Sequence, residues 1–403
     1  MQTNTNQSNA IPQLRLNSID VFRALTMFFM IFVNDLWTLK DIPLWLEHAT
    51  AQEDRLGFAD TIFPAFLFIV GLSIPFAMAN RLQKGDSPLT LSKHILLRSL
   101  ALIVMGVFHV NMESYNAIAI LPKPVWEILI TIGFFLIWLD YSKEINRAKK
   151  YVLQGSGWVI LVIMALLYRG GTPEDPVWMK FHWWGILGLI GWAYLVGSFV
   201  FLAFRNKIGA HLLVFAFFVF FNAAGELGWL RPISAIRPFL WFLGDGSTSS
   251  LVMAGIIISL YYTKLMAAGR QTAYWLLLGG CTLVMLLFGL LTRPIWGIHK
   301  IGASPSWVTI CIGLSVIVFG GLIWLVDVKG KKDWFTIIKP AGTSTLTSYL
   351  MPYLYYPIYS LIGISLPLLF RTGIVGIFKS ILFALLIILI TGFLEKRKIR
   401  LRL

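Results

Sequence analysis

Long apolar stretches separated by short polar ones recur from one end of the chain to the other. They fall near 17–39, 57–80, 93–113, 124–141, 151–168, 182–204, 208–224, 240–262, 272–291, 305–327, 345–366 and 373–394. Most approach the roughly 20 residues that an α-helix needs to cross a hydrocarbon core. A helix satisfies its own backbone hydrogen bonds there, where no water is available to do so. The pattern therefore predicts an all-α fold, a polytopic membrane helix bundle of about 11–12 transmembrane helices. The 208–224 run is marginal, and Pro352 and Pro357 break 345–366. No polar segment is long enough to fold alone. We therefore expect a single transmembrane domain over 17–395, a short polar N-terminal segment at 1–16 and a basic tail at 396–403.

Composition agrees with the pattern and excludes a soluble class. The chain is 57% hydrophobic and 13% charged, far below the charge of about a quarter typical of soluble domains. Its net charge of +15 would suit nucleic-acid binding in a soluble protein. On a polytopic chain, excess Lys and Arg instead reports orientation. With the N-terminus inside, the cytoplasmic segments hold roughly twice the Lys and Arg of the opposite loops, so both termini are expected in the cytoplasm. The first eighteen residues lack a basic start, a short apolar core and a small-residue cleavage site, so the first span is expected to be retained. Cys281 and Cys311 both lie inside apolar runs and are not spaced as metal ligands or a redox pair.

Polar groups inside such runs are costly and more informative than loop charges. Asp20 and Arg23 are three residues apart and share a helix face near the inner end of the first run. They form either a structural ion pair or part of an anion site. Asn34 lies near the outer end of that helix, and Asp60 near the outer start of the second. Between them, His48 sits in an acidic loop on the outer side, as do His109, His182 and His299 near other outer run ends. No His-x-x-x-His spacing occurs, so no metal is expected. Taken alone, His48 reads as an interfacial imidazole hydrogen-bonded to backbone or water.

The neighbouring motifs change that reading. Asn17-Ser18-Ile19-Asp20-Val21-Phe22-Arg23-Ala24, Phe32-Val33-Asn34, His48, Ala59-Asp60-x-x-Phe63-Pro64 and Phe68-Ile69-Val70-Gly71-x-Ser73 follow one another over the first runs. Later come Pro305-Ser306-Trp307-Val308 and Val326-Asp327-Val328-Lys329-Gly330. Together they resemble the heparan-α-glucosaminide N-acetyltransferases and their bacterial relatives, most closely over about the first 110 residues. The resemblance implies a transmembrane acyltransferase that takes an acetyl group from cytoplasmic acetyl-CoA. The acceptor would be an amino sugar or other glycan beyond the membrane. His48 matches the family's catalytic histidine, as general base or acyl carrier, and Asn34 the asparagine near it; Asp60 joins them as a candidate. Asp20 and Arg23 match the family's Asp-x-x-Arg. Acetyl-CoA is polyanionic, which adds the basic residues Arg81, Lys93 and Arg98 as candidates for its phosphates. For a bacterial relative the implied location is the inner membrane, with the lipid bilayer as a partner and no nucleic acid. The oligomeric state is open, a homodimer included.

The chain departs from the family pattern near the expected outer face. Ala24 follows the arginine where the family has Gly, Asp35-Leu36-Trp37-Thr38 follows the asparagine, and Asp245-Gly246-Ser247-Thr248 stands for an Asp-Pro-Glu-Gly segment. The acceptor therefore need not be a terminal glucosamine of heparan sulphate. Two other classes compete with this reading, a secondary transporter of a small polar solute and a non-catalytic membrane scaffold. Transport calls for paired repeats and binding groups at the midplane, whereas the polar groups here cluster at run ends and no internal repeat is visible.

Overall fold

A computed structural model describes residues 16–142, 144–233 and 241–403. Residues 1–15 of the polar N-terminal segment, Lys143, Arg237 and the first residue of the expected 240–262 run lie outside the described residues. The chain is a helix bundle, with strand pairing among the described residues limited to a two-residue hairpin at Gly170–Gly171 and Pro176–Val177 and a few isolated bridges. Nine helices among the described residues are long and apolar enough to cross a membrane. They are α2 (Ala59–Gln83), α3 (Pro88–Asn111), α5 (Arg147–Leu167), α6 (Ile186–Phe204), α7 (Ile208–Glu226), α8 (Ser247–Ala267), α9 (Gln271–Trp296), α10 (Pro305–Leu322, prolonged by a π-turn to Val328) and α14 (Gly373–Lys396). The protein is thus a polytopic helical membrane protein.

The remaining expected runs form helices that are shorter or more polar. Helix α1 (Asn17–Asp35) has 19 residues and carries Asp20, Arg23 and Asp35. Helix α4 (Lys123–Trp138) has 16 residues and stops where Leu139 enters an extended bridge to Leu401. The 345–366 run divides into α12 (Thr345–Leu350) and α13 (Pro352–Ile362), preceded by the short α11 (Lys339–Thr343). Pro352 supplies no backbone N–H to carry the helix across Met351, and Gly363, at a φ of 72°, ends α13.

Most of α2, α8 and α10 is buried, whereas α5, α7 and α9 are largely exposed. Leucines such as Leu276, Leu283 and Leu291 on α9 face outward, as they would against lipid. Interior helices approach closely through small residues. Gly71 of α2 lies so near the Val252 backbone of α8 that a Cβ would overlap it, and Gly255 of α8 meets the Phe68 carbonyl in the same way. Ser259 then donates to the Leu72 carbonyl at 2.7 Å.

Two motifs from the sequence turn out to be structural joints. Helix α1 begins without a side-chain cap of its own. Its first amides, of Asn17 and Ser18, instead donate to the Asp327 carboxylate at 3.0 and 3.3 Å. A carboxylate there also suits the positive end of the helix dipole. Ser73, at the end of the Phe-Ile-Val-Gly-x-Ser motif, accepts from Arg23 at 2.7 Å and so links α1 to α2. The 399–403 segment is packed as well. Leu401 N donates to Thr347 Oγ1, and Arg400 pairs with Asp140, both at 2.9 Å.

Candidate active site

Helix α1 sets the site's two ends, because Arg23 lies in its second turn and Asn34 in its last. Beyond it, residues 36–58 return to α2 as a loop hooked onto the bundle. Phe58 N donates to the Trp45 carbonyl at 2.7 Å and Ala59 N to the Leu46 carbonyl at 3.3 Å. That hook brings His48 over the first turn of α2. His48 Nδ1 lies 2.8 Å from Asp60 Oδ1, and Asp60 Oδ2 accepts from the amides of Ala49 at 3.0 Å and Gly57 at 3.1 Å. The Asp60 side chain is 1% exposed, whereas His48 is 43% exposed. A buried carboxylate holding two backbone amides is an ionised acceptor. The proton between the pair therefore sits on Nδ1, which leaves Nε2 as the basic nitrogen.

Pro64 is part of this arrangement. A proline cannot donate to the carbonyl four residues before it, which here belongs to Asp60. The freed carbonyl accepts from Trp307 Nε1 of α10 at 3.2 Å. Helix α10 is in turn fixed by Pro305 in its first turn and by its cap Ser304, whose Oγ accepts from Trp307 N at 3.4 Å. The Asp60-x-x-Phe63-Pro64 and Pro305-Ser306-Trp307 motifs are thus two halves of one joint beneath the histidine.

Gly57 is required by close approach, since a Cβ there would overlap the Glu47 carbonyl. Substituting Gly57 with alanine is expected to displace the 45–58 loop and lower stability by about 1–3 kcal/mol. It would also loosen Asp60, whose Oδ2 the Gly57 amide supports. Thermal unfolding in detergent measures the first effect, and an unchanged midpoint would contradict the packing argument.

Sequence reasoning missed Lys300, which counted only as an outer-loop charge. Its Nζ lies 3.0 Å from His48 Nδ1 and 3.8 Å from Asp60 Oδ1. The loop bearing it, between α9 and α10, is tied to the His48 loop at several points. Asp54 Oδ1 accepts from Ile298 N at 2.7 Å, Arg293 Nε donates to Asp54 Oδ2 at 2.9 Å, and His299 Nδ1 lies 3.0 Å from the Glu53 carbonyl. Burial pushes Asp54 up, but the Ile298 amide and the Arg293 guanidinium outweigh it and hold the carboxyl below its usual range. The residues that meet here lie between 239 and 252 positions apart, so local spacing carried no signal of the contact.

His48 and Asn34 line one cavity of about 530 Å³, walled also by Glu47, Tyr353 and Tyr356. A second cavity, of about 380 Å³, opens toward the other end of α1 and is lined by Arg23, Arg81, His94, Arg98 and Arg402. Met30, Ile186 and Tyr349 belong to both walls, so the two cavities meet back to back. Of the candidate phosphate ligands, Arg23, Arg81 and Arg98 therefore come together. Arg98 also packs over the Tyr194 ring, 4.8 Å from its centroid. Lys93 is exposed and Asp20 pairs with Arg23 at 3.3 Å, and neither lines the cavity. The basic wall includes Arg402 from the expected tail, which sequence reasoning counted only among the basic terminal charges.

A profile of the family described as "Heparan-alpha-glucosaminide N-acetyltransferase, catalytic" matches residues 15–241, more than half of the chain. The chain belongs to this family. It is 36% identical over 115 residues to the human heparan-alpha-glucosaminide N-acetyltransferase, and 39% identical over 101 residues to the mouse protein of that name. These matches cover 28% and 24% of this chain but span only 16% and 14% of the two relatives. The matched range includes Arg23, His48 and Asp60 but not Lys300.

Proposed function

We propose that the chain is a membrane N-acetyltransferase that takes acetyl groups from acetyl-CoA at the cytoplasmic face. It would pass them to an amino-sugar or related glycan acceptor on the opposite side. The observation that carries this reading is the pair of cavities meeting at Met30, Ile186 and Tyr349. One end is walled by arginines suited to phosphates, and the other holds a histidine backed by a buried carboxylate. The CoA phosphates would bind at Arg23, Arg81, Arg98 and Arg402, with the pantetheine arm directed between the cavities toward His48. Two further points support the reading: the relatives are named as N-acetyltransferases, and the charge distribution favours the arginine end inside.

The chemistry follows from the named groups. The acceptor amine attacks the thioester carbonyl carbon, and His48 Nε2 takes the proton that the amine loses. The Asn34 side-chain amide can donate to the oxyanion as it forms. The C–N bond is then complete, the C–S bond breaks, and the imidazolium returns its proton to the departing CoA thiolate. Asp60 holds the ring through Nδ1 and favours the tautomer with Nε2 free.

The deciding experiment uses protein in liposomes, labelled acetyl-CoA on one side and a panel of amino sugars on the other. Acetylated sugar on the acceptor side is the expected result. Accumulation of unmodified sugar inside the vesicles would favour transport instead. The donor site has its own check. Arg98→Ala should weaken CoA binding about tenfold, the loss of one charged hydrogen bond, while Lys93→Ala should leave it unchanged. Equal affinity in wild type and Arg98→Ala would move the phosphates elsewhere.

A further inference from the structure

Lys300 lies against both the His48 ring and the Asp60 carboxylate, and the mechanism above does not use it. It lies outside the helices, in the loop between Trp296 and Ser304, and its side chain is 28% exposed. That loop is held by its own hydrogen bonds. Ser304 Oγ donates to the Gly297 carbonyl at 3.0 Å and accepts from His299 N at 3.1 Å. The Lys300 Nζ is 3.0 Å from His48 Nδ1 and 3.5 Å from Nε2, so it lies alongside the imidazole near both nitrogens. Nδ1 cannot accept from it while donating its own proton to Asp60. The contact is therefore one of charge against ring, with Asp60 Oδ1 as the ammonium's counter-ion at 3.8 Å.

We propose that Lys300 is a positioning residue that offsets the charge of Asp60 and so keeps the His48 imidazole neutral and available as a base. This rests on the acyl-transfer reading above and deepens it. Asp60 alone would stabilise the imidazolium and occupy the base with a proton before substrate arrives. A cation placed against the same ring opposes that protonation. The other charged groups around the pair do not replace it. The Arg55 Nη2 donates to the His48 carbonyl at 3.1 Å while its Nε serves Glu53, and Glu47 lies on the cavity wall. From α10, Cys311 approaches the Asp60 carbonyl, and Asp35 at the end of α1 is already paired with Lys379. Burial lowers the Lys300 ammonium below the usual lysine range, and Asp60 pulls it back toward the charged form.

The test reads His48 directly and does not depend on turnover. Diethyl pyrocarbonate acylates neutral imidazole, so the pH at which residue 48 becomes half-reactive, followed by peptide mass spectrometry, reports its protonation. Lys300→Met should move that midpoint upward by about one pH unit, as expected for a unit charge within a few ångströms. Lys300→Arg should hold it near the wild-type value, and Asp60→Asn should move it down. The acid limb of kcat/KM for acetyl transfer should shift with the same sign in Lys300→Met. Lys300→Gln provides a second neutral variant if the Met protein does not fold. An unmoved midpoint in a folded neutral variant overturns the proposal. So does a raised KM for anionic acceptors with no change in the midpoint, which would make Lys300 an acceptor contact. If wild type transfers no acetyl group yet the midpoint shifts as stated, the acyltransferase reading falls and the charge relation stands.

Discussion

Replacing His48 with alanine is expected to lower acetyl transfer by about 10²–10⁴-fold, the range typical of a lost general base. Binding of CoA should survive, because His48 lines the cavity at the opposite end from Arg81 and Arg98. Folding should survive too, since the side chain is 43% exposed and its removal leaves no apolar void. The informative comparison is Asp60→Asn. Its carboxylate accepts from two backbone amides as well as from the ring. That substitution should therefore disturb the loop and the tautomer together, reducing both rate and stability. Single-turnover transfer from labelled acetyl-CoA, with CoA affinity measured by calorimetry on the same samples, separates these effects. Transfer at the wild-type rate in His48→Ala would remove the histidine from the mechanism.

His48, Asn34 and Asp60 could be picked out from the sequence because two kinds of signal coincided. Asn34 and Asp60 are polar residues at the ends of apolar runs with His48 in the loop between them, and all three belong to the pattern that resembles one family. The helical architecture was legible for a simpler reason, since in hydrocarbon only the helix satisfies such runs one by one. Lys300 and Arg402 carried no comparable signal. A lysine in an outer loop and an arginine in a basic terminal stretch are what the orientation of any polytopic chain produces, and their contacts come from residues far away in sequence. Asp327 shows the opposite case. Its motif was visible, but its work as the cap of α1, some 310 positions away, was not. Helix breaks were only half visible. Pro352 announced one, whereas the early end of α4 depends on Leu139 pairing with the distant Leu401.

The largest expected loss of stability lies beside the site, at Asp35. Its side chain is 3% exposed, and its carboxylate is shared by three partners from α13 and α14. Tyr356 Oη donates to Oδ1 at 2.5 Å, while Lys379 Nζ and Ser380 Oγ each donate to Oδ2 at 2.6 Å. Lys379 also reaches Thr38 Oγ1 at 2.8 Å. Asp35→Ala would leave an ammonium without its counter-ion and two hydroxyls without their acceptor, at a cost of about 3–5 kcal/mol. Most of that cost comes from the stranded charge, not from the pair itself. Adding Lys379→Met should therefore restore much of the stability lost in Asp35→Ala, and Asp35→Asn should fall between the two. Denaturant unfolding in mixed micelles on the four proteins of the cycle gives the coupling energy. If the Asp35→Ala protein unfolds within about 0.5 kcal/mol of wild type, the network contributes little. If Asp35→Ala and the double variant are equally unstable, then the lost hydroxyl bonds matter and the buried charge does not. Because Tyr356 also lines the His48 cavity, the Asp35 variants should change acceptor KM along with stability, which joins the anchoring of α1 to the shape of the acceptor end.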